Sequence, residues 1–264
     1  MPLAEALLEL QDLTRRLRRD CPWDREQTER TIVPHTVEEA YEVADAALAG
    51  DDAELRSELG DLLFQVYFLS LLLEERGAGD LEAVARDVHG KLVRRHPHVF
   101  GDADVRTAER VRERWEAIKS EQEGREGVFH DVPTSLPALL QARKVQRRAA
   151  TAGYDWPDLD GPLGKLREEL GELEAAVEGS GPPAPEAEAD PRVHHELGDL
   201  LFTVVNVSRR LNVDPELALR SATRRFVSRV DRAVELAAER GDDWRSLALD
   251  DQDAYYELAK RELV

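Results

Sequence analysis

Cysteine and methionine are almost missing from this chain of 264 residues, which has one of each, Cys21 and Met1. A single thiol forms no internal disulfide, which excludes a disulfide-stapled scaffold and predicts a reducing, cytoplasmic setting. Long apolar runs are missing too. The longest, Val66 to Leu73 with Ser70 inside it, falls far short of the ~20 residues that cross a bilayer, so no membrane partner is expected. Glu5 and Glu9 stand where a signal peptide would be apolar, and no export signal is expected. Positive charge is scarce: 36 Lys and Arg against 55 Asp and Glu leave a net charge of −19. Such a surface repels nucleic-acid polymers, which are excluded as partners. The chain also lacks a glycine-rich phosphate loop, a supported Ser/His/Asp or Cys/His arrangement, and the period-two alternation that marks a strand. Cys21, beside Pro22, reads as structural.

What is abundant is Leu, Ala, Glu and Arg, with apolar residues recurring every three or four positions. Leu3, Leu7, Leu10, Leu13 and Leu17 form one such stripe, the pattern of an amphipathic helix. Further helices are expected near 36–49, 53–76, 80–95 and 105–121, then from about 136 through 160–178, 192–211, 214–240 and 246–262. The fold class is all-α. At about 150 residues per domain the length suits one or two domains. The stretch SEQEGREGVFHDVPTSLP interrupts the helical pattern, predicting domains at 1–121 and 138–264 joined by a linker at 122–137. A second insert, GSGPPAPEAEADP at 179–191, reads as a loop.

The two halves repeat each other. Glu38-Glu39-Ala-Tyr-Glu42 is followed by Glu58-Leu-Gly-Asp61-Leu-Leu-Phe, and Glu168-Glu169-Leu-Gly-Glu172 by Glu196-Leu-Gly-Asp199-Leu-Leu-Phe. The gap from Glu42 to Glu58 is 16 residues and that from Glu172 to Glu196 is 24, the excess matching the proline-rich insert. Trp115-Glu-Ala-Ile-Lys119 parallels Tyr256-Glu-Leu-Ala-Lys260. The predicted architecture is a tandem repeat of two helical bundles.

Each carboxylate pair has three-residue spacing and projects from one helix face. Alone, an EExxE string is an ordinary solvated face. Here Asp61 opens LLFQVYFLSLLL and Asp199 opens LLFTVVNVS, helices apolar nearly all round and expected to be buried. Carboxylates at the mouth of a buried helix must be protonated, ion-paired or metal-bound. An all-oxygen set suits Mg²⁺ or Mn²⁺, and Mg²⁺ held by carboxylates usually shares its shell with phosphate oxygens. A di-iron bundle would need Glu-x-x-His pairs, whereas His194 and His195 precede Glu196. Lys91 and Arg95 share a helix face, as do Arg225 and Arg229, and the ring and ammonium of Tyr256 and Lys260 are likewise four apart. Such groups suit phosphate and base, although each alone reads equally well as a surface ion-pair partner.

The pattern EExxE followed by ExxD resembles the signature of the MazG family of nucleoside triphosphate pyrophosphohydrolases. CPWDREQT at 21–28, ELGDLLFQV at 58–66, RRHPHVFG at 94–101, GYDW at 153–156 and ELGDLLFTVVN at 196–206 extend the resemblance over the whole chain. The resemblance implies an all-α homodimer that uses Mg²⁺ to hydrolyse NTPs and dNTPs to monophosphate and pyrophosphate. It implies Glu169, Glu172, Glu196 and Asp199 as metal ligands, with Glu168 orienting water. It also implies nucleotide contacts from Lys165, Arg225, Arg229, Tyr256 and Lys260. Tyr256 stands where relatives carry tryptophan, and Arg225 where they carry lysine. From Asp199 one helix face continues through Thr203, Asn206 and Arg210, which marks Asn206 as a further binding residue. From Asp61 the same face turns apolar at Phe68 and Leu72. The second half is therefore the expected catalytic one. The first half, with Glu38, Glu39, Glu42, Glu58, Asp61, Lys91, Arg95, Trp115 and Lys119, is expected to be a second site, a nucleotide sensor or a dimerisation scaffold. A nucleotide-binding regulator without turnover, or a helical scaffold for partner proteins, is the alternative to an enzyme.

Overall fold

The computed structural model describes residues 2–101, 127–129, 132–180 and 190–263, and every regular element among them is helical. The expected helix near 105–121, with Trp115 and Lys119, lies outside the described residues, as do parts of the expected linker, at 122–126 and 130–131, and residues 181–189 of the insert. The chain divides into two compact units, Met1–Glu123 and Gly124–Val264.

The first unit holds α1 (Pro2–Asp20), a short α2 (Pro22–Glu26), α3 (Glu29–Ala49), α4 (Asp52–Glu75), α5 (Leu81–Arg95) and a short α6 (Pro97–Phe100). α3 begins seven residues before the sequence pattern places it. The reason is Thr28, whose hydroxyl accepts from the Thr31 N–H while the Thr31 hydroxyl accepts from the Thr28 N–H. This reciprocal cap satisfies two orphan donors and starts the helix ahead of Pro34, which costs it one internal bond. Gly50 in the left-handed region ends α3, and Asp51 caps α4 by accepting from Ala53 and Glu54 N–H. The two-residue turn folds α4 back along α3, the closest helix pairing of the unit. Ile32, Phe68 and Leu72 form the core between them.

The second unit holds α7 (Ala138–Thr151), α8 (Asp160–Ser180), α9 (Pro191–Arg210), α10 (Pro215–Glu239), a 3₁₀ turn at Trp244–Ser246 and α11 (Leu249–Glu262). α8 and α9 pair as α3 and α4 do, with α7 packed on α9 and on α10. Ala233, Leu236, Ala237, Tyr255 and Ala259 make a core between α10 and α11. The Arg232 guanidinium ties the same helices by donating to Glu239 at 2.9 Å and to Glu262 at 2.7 Å.

One expectation is corrected. The helices that carry Asp61 and Asp199 start nine and eight residues ahead of them and are not buried all round. α4 buries Gln65, Phe68 and Leu72 but exposes Leu59, Leu63 and Val66; α9 buries Thr203 and Val205 but exposes Leu197, Leu201 and Val204. The exposed sets occupy corresponding positions of the repeat at i, i+4 and i+7, one continuous apolar stripe per helix. Apolarity on every side identifies surface to be covered without saying whether the same chain covers it.

α7 ends in a Schellman turn, with Tyr154 N–H donating to Ala149 O at 2.9 Å and Gly153 N–H to Ala150 O at 3.0 Å. Gly153 has φ +90°, and an added Cβ would meet nothing within 4 Å. A side chain there would therefore suffer backbone strain alone. Gly153→Ala should lower stability by about 1–2 kcal/mol, read as a lower denaturation midpoint; an unchanged midpoint would show that this turn does not hold the left-handed conformation.

Candidate metal centre and active site

In each unit two paired helices bring three carboxylates together. Oxygens of Glu39, Glu58 and Asp61 lie within 4.8 Å of one another, and so do those of Glu169, Glu196 and Asp199. The first member comes from the EExxE helix and the other two from the second and third turns of the helix packed on it. Glu42 and Glu172, the fourth carboxylates expected from the sequence, fall outside these close sets. They remain electrostatic neighbours, because both raise the pKa of a cluster member or are raised by one.

The two clusters differ in burial. Glu169 is 4% exposed, and its Oε2 is fully buried without a hydrogen-bond partner. Its Oε1 is 2.7 Å from Lys165 Nζ, which also donates to Glu168 Oε1 at 2.7 Å. Leaving a buried carboxylate oxygen unmet costs about 1–3 kcal/mol or more. A hard divalent cation would meet it, and two further carboxylates, Glu196 and Asp199, complete an oxygen-only donor set of the kind such a cation takes. The residues present thus fit the expected metal. His195, which the sequence reading set aside because it precedes Glu196, has its Nε2 3.3 Å from Asp199 Oδ2. Their i, i+4 spacing was the available signal.

Like charge dominates the electrostatics. Desolvation, then Glu169 and Glu196 against the opposing pull of Lys165, raises the Glu172 carboxyl above its ordinary value. Glu39 is raised by desolvation, then by Asp61 and Glu42, and Glu58 by desolvation, then by Glu42 and Glu54. The two basic pairs also differ from each other. Among the described residues no hydrogen bond or ion pair engages Arg225, Arg229 or Lys91, whereas Arg95 has partners. Tyr256 packs its ring against Phe226 at 5.9 Å, and Lys260 donates to Glu257 at 2.9 Å. Asn206 is half-buried, its Oδ1 accepting from Arg209, and Arg210 is paired with Asp155. The polar stripe beyond Asp199 is thus built into a network with the GYDW segment.

A model of the MazG nucleotide pyrophosphohydrolase domain matches the chain twice, over residues 27–100 and 162–233. The chain belongs to the MazG family. Each match spans one carboxylate cluster, as a tandem repeat requires. A nucleoside triphosphate pyrophosphohydrolase of Escherichia coli K12 is 38% identical over 252 residues, covering 92% of either chain. A nucleoside triphosphate pyrophosphohydrolase/pyrophosphatase MazG of Thermotoga maritima is 41% identical over 243 residues, covering 91% of this chain and 89% of its own. A crystal structure of a mazG-related protein from Thermotoga maritima aligns with 42% of this chain and 97% of its own at 27% identity, with a TM-score of 0.38. No helix among the described residues of this MazG protein is long and apolar enough to cross a membrane.

The raised carboxyls define a pH dependence. A folded-state pKa above the unfolded value means that the folded protein binds the proton more tightly. That contribution is complete below the ordinary glutamate range and is lost as pH rises through the raised value. At pH 8, above the carboxylate range, the Glu172 charge is opposed by its desolvation and by its acidic neighbours. Glu172→Gln should therefore melt above the wild type at pH 8 without metal, the gap closing as pH falls through the carboxylate range. Divalent cation should stabilise the wild type more than the variant. A gap of equal size at pH 4 and pH 8 would assign the effect to packing instead.

Proposed function

We propose that the second unit hydrolyses nucleoside triphosphates, both NTPs and dNTPs, to the monophosphate and pyrophosphate, with Mg²⁺ held by Glu169, Glu172, Glu196 and Asp199. The observation that carries this reading is the buried, unmet Oε2 of Glu169 at the convergence of three carboxylates. The names of the Escherichia coli and Thermotoga maritima relatives, each covering about nine-tenths of the chain, supply the reaction. When bound, the cation supplies neutralising charge for phosphate oxygens and acidifies water; Mn²⁺ suits the same oxygen set. Glu168 is exposed beside the cluster, placed to orient a water and take its proton as the water oxygen attacks the α-phosphorus and the bond to the bridging oxygen breaks. Lys165 stands at the rim for a phosphate oxygen, and the unpaired Arg225 and Arg229 offer donors for charge developing on the leaving pyrophosphate. Tyr256 and Lys260 complete the nucleotide-contacting set.

The first unit keeps the carboxylates but fills the face beyond Asp61 with buried Phe68 and Leu72. Its proposed role is that of a nucleotide sensor, a dimerisation scaffold or a lesser second site, with Glu38 and Glu42 beside its cluster and Lys91 and Arg95 as candidate phosphate contacts. The exposed stripes on α4 and α9 support a homodimer, and the reading places the protein in the cytoplasm.

Product analysis with NTPs, dNTPs and Mg²⁺ tests the reaction. Monophosphate and pyrophosphate are the expected products. Orthophosphate alone would overturn attack at the α-phosphorus, and binding without any release would make the protein a nucleotide-responsive regulator. Glu169→Ala and Asp199→Ala should each lower kcat/KM on the order of 100-fold or more, with helical content unchanged. Glu39→Ala should cost far less, and equal losses from both units would mean two working sites.

A further inference from the structure

We propose that an arginine-lined cavity of the first unit, between α1, α2 and α4, binds a small base-free anion of the pyrophosphate class, separately from the hydrolysis proposed for the second unit. The cavity, about 390 Å³, is lined by Arg15, Arg18, Arg19, Arg25, Leu71 and Glu75. That volume lies in the range of small-molecule sites. Four guanidiniums thus gather at one place in a chain whose net charge is −19, a local reversal of sign that attracts an anion.

One of the four builds the wall. Arg18 Nη1 donates to the carbonyls of Asp24, Arg25 and Gln27 at 2.6, 3.0 and 3.0 Å, and its Nε and Nη2 donate to the two Glu75 oxygens, each at 2.8 Å. These bonds hold α2 and the turn after it against α4. They also answer the acidic side chain of the lining, because Arg18 keeps the Glu75 carboxyl below its ordinary value against desolvation. The other three keep donors in hand. Arg15 gives only Nη2 to Glu74, at 3.0 and 2.9 Å, which leaves its Nε and Nη1. Arg19 gives Nε and Nη2 to Asp20, at 3.0 and 3.4 Å, which leaves its Nη1. Among the described residues no hydrogen bond or ion pair engages the side chain of Arg25, which is exposed. Charge is therefore answered for three of the four arginines, and Arg25 carries the surplus.

The donors select the anion. A guanidinium meets a phosphoryl group with two parallel N–H bonds. Arg15 and Arg19 stand four residues apart on α1, about 6 Å along its axis, and Arg25 joins them from α2. Donors spread over that length suit two linked phosphoryl groups better than one. The lining holds no aromatic ring, so nothing in it stacks a base. The repeat sharpens the contrast. Leu71 and Arg209 each stand ten residues beyond the aspartate of their unit, and the second unit has its own cavity on that flank of α9. That cavity, about 460 Å³, is lined by Gln146, Tyr154, Trp156 and Asn206 among others. Its Arg209 is paired with Asp155. Corresponding helices thus present rings and amides in one unit and open guanidinium donors in the other.

The test is titration calorimetry of the full chain with sodium pyrophosphate in the presence of EDTA. Saturable binding is expected, weakened about tenfold or more in Arg25→Gln and by less in Arg25→Lys, which keeps the charge without the fork. Arg25 has no side-chain partner to lose, so neither variant breaks a bond of the fold; circular dichroism checks both. Added salt should weaken the binding, because exposed charges are screened. Arg86→Gln makes the same change of charge on exposed α5, and Arg225→Gln makes it among the cations of the second unit; the Arg25-dependent binding should survive both. Equal weakening by Arg25→Gln and Arg86→Gln, or no saturable binding to the wild type, would overturn the site and leave the reaction standing. A nucleoside diphosphate that binds more tightly than pyrophosphate, and loses that advantage in Arg25→Gln, would overturn the base-free assignment. Arg25-dependent binding in a protein that releases no pyrophosphate from triphosphates would support the site and overturn the reaction.

Discussion

Mutual repulsion among carboxylates is the constraint around which each half of this protein is built. Glu169, Glu196 and Asp199 place their oxygens within 4.8 Å of one another on two packed helices. The arrangement persists because the same helices bury Thr203, Val205 and Ala176 on their packed faces. The hydrophobic contact therefore works against the charge, and the balance shifts wherever a cation enters. Lys165 offsets part of the repulsion at Glu168 and Glu169, but it leaves one buried oxygen of Glu169 unmet. The strain is local, and it marks the place where binding has most to gain.

The two repeats resolve that constraint differently. In the first, Glu39 is half-buried and Asp61 exposed, and the helix face beyond them packs into a small core at Phe68. In the second, Glu169 is buried, and the corresponding face carries Asn206 and Arg209 beside a cavity. One duplicated frame thus supports a filled position and an open one. The difference follows from single side chains. A phenylalanine at the seventh position after the aspartate completes a core, while an asparagine there leaves room and a hydrogen-bonding edge.

The exposed stripes of α4 and α9 carry a second consequence. Leu59, Leu63 and Val66 recur as Leu197, Leu201 and Val204, so both repeats keep the same apolar surface opposite their packed faces. Rows of large aliphatic side chains on helices this long are a standing drive toward association. The carboxylate clusters sit on the same helices, beside the first residues of the stripes, which couples the geometry of the site to whatever covers the stripe.

Much of this was legible in the sequence, because helical periodicity is a local property. The spacing of leucines fixes which residues share a face, and the repeated EExxE and ELGD strings mark the helix pair on which three carboxylates meet in each unit. Helix boundaries were less legible. The start of α3 at Glu29 depends on a reciprocal pair of hydroxyl bonds at Thr28 and Thr31, and the pattern had placed it after Pro34. Tertiary packing alone decided that Glu169 is the buried member of its cluster. It also decided that Glu172 stands outside the close set, and that the apolar sides of α4 and α9 divide into a covered and an uncovered stripe. The cavity was equally hidden, because Gln146, Trp156 and Asn206 come from three separate segments. Periodicity states which side of a helix a residue is on; burial and unmet hydrogen bonds depend on what another segment brings to that side.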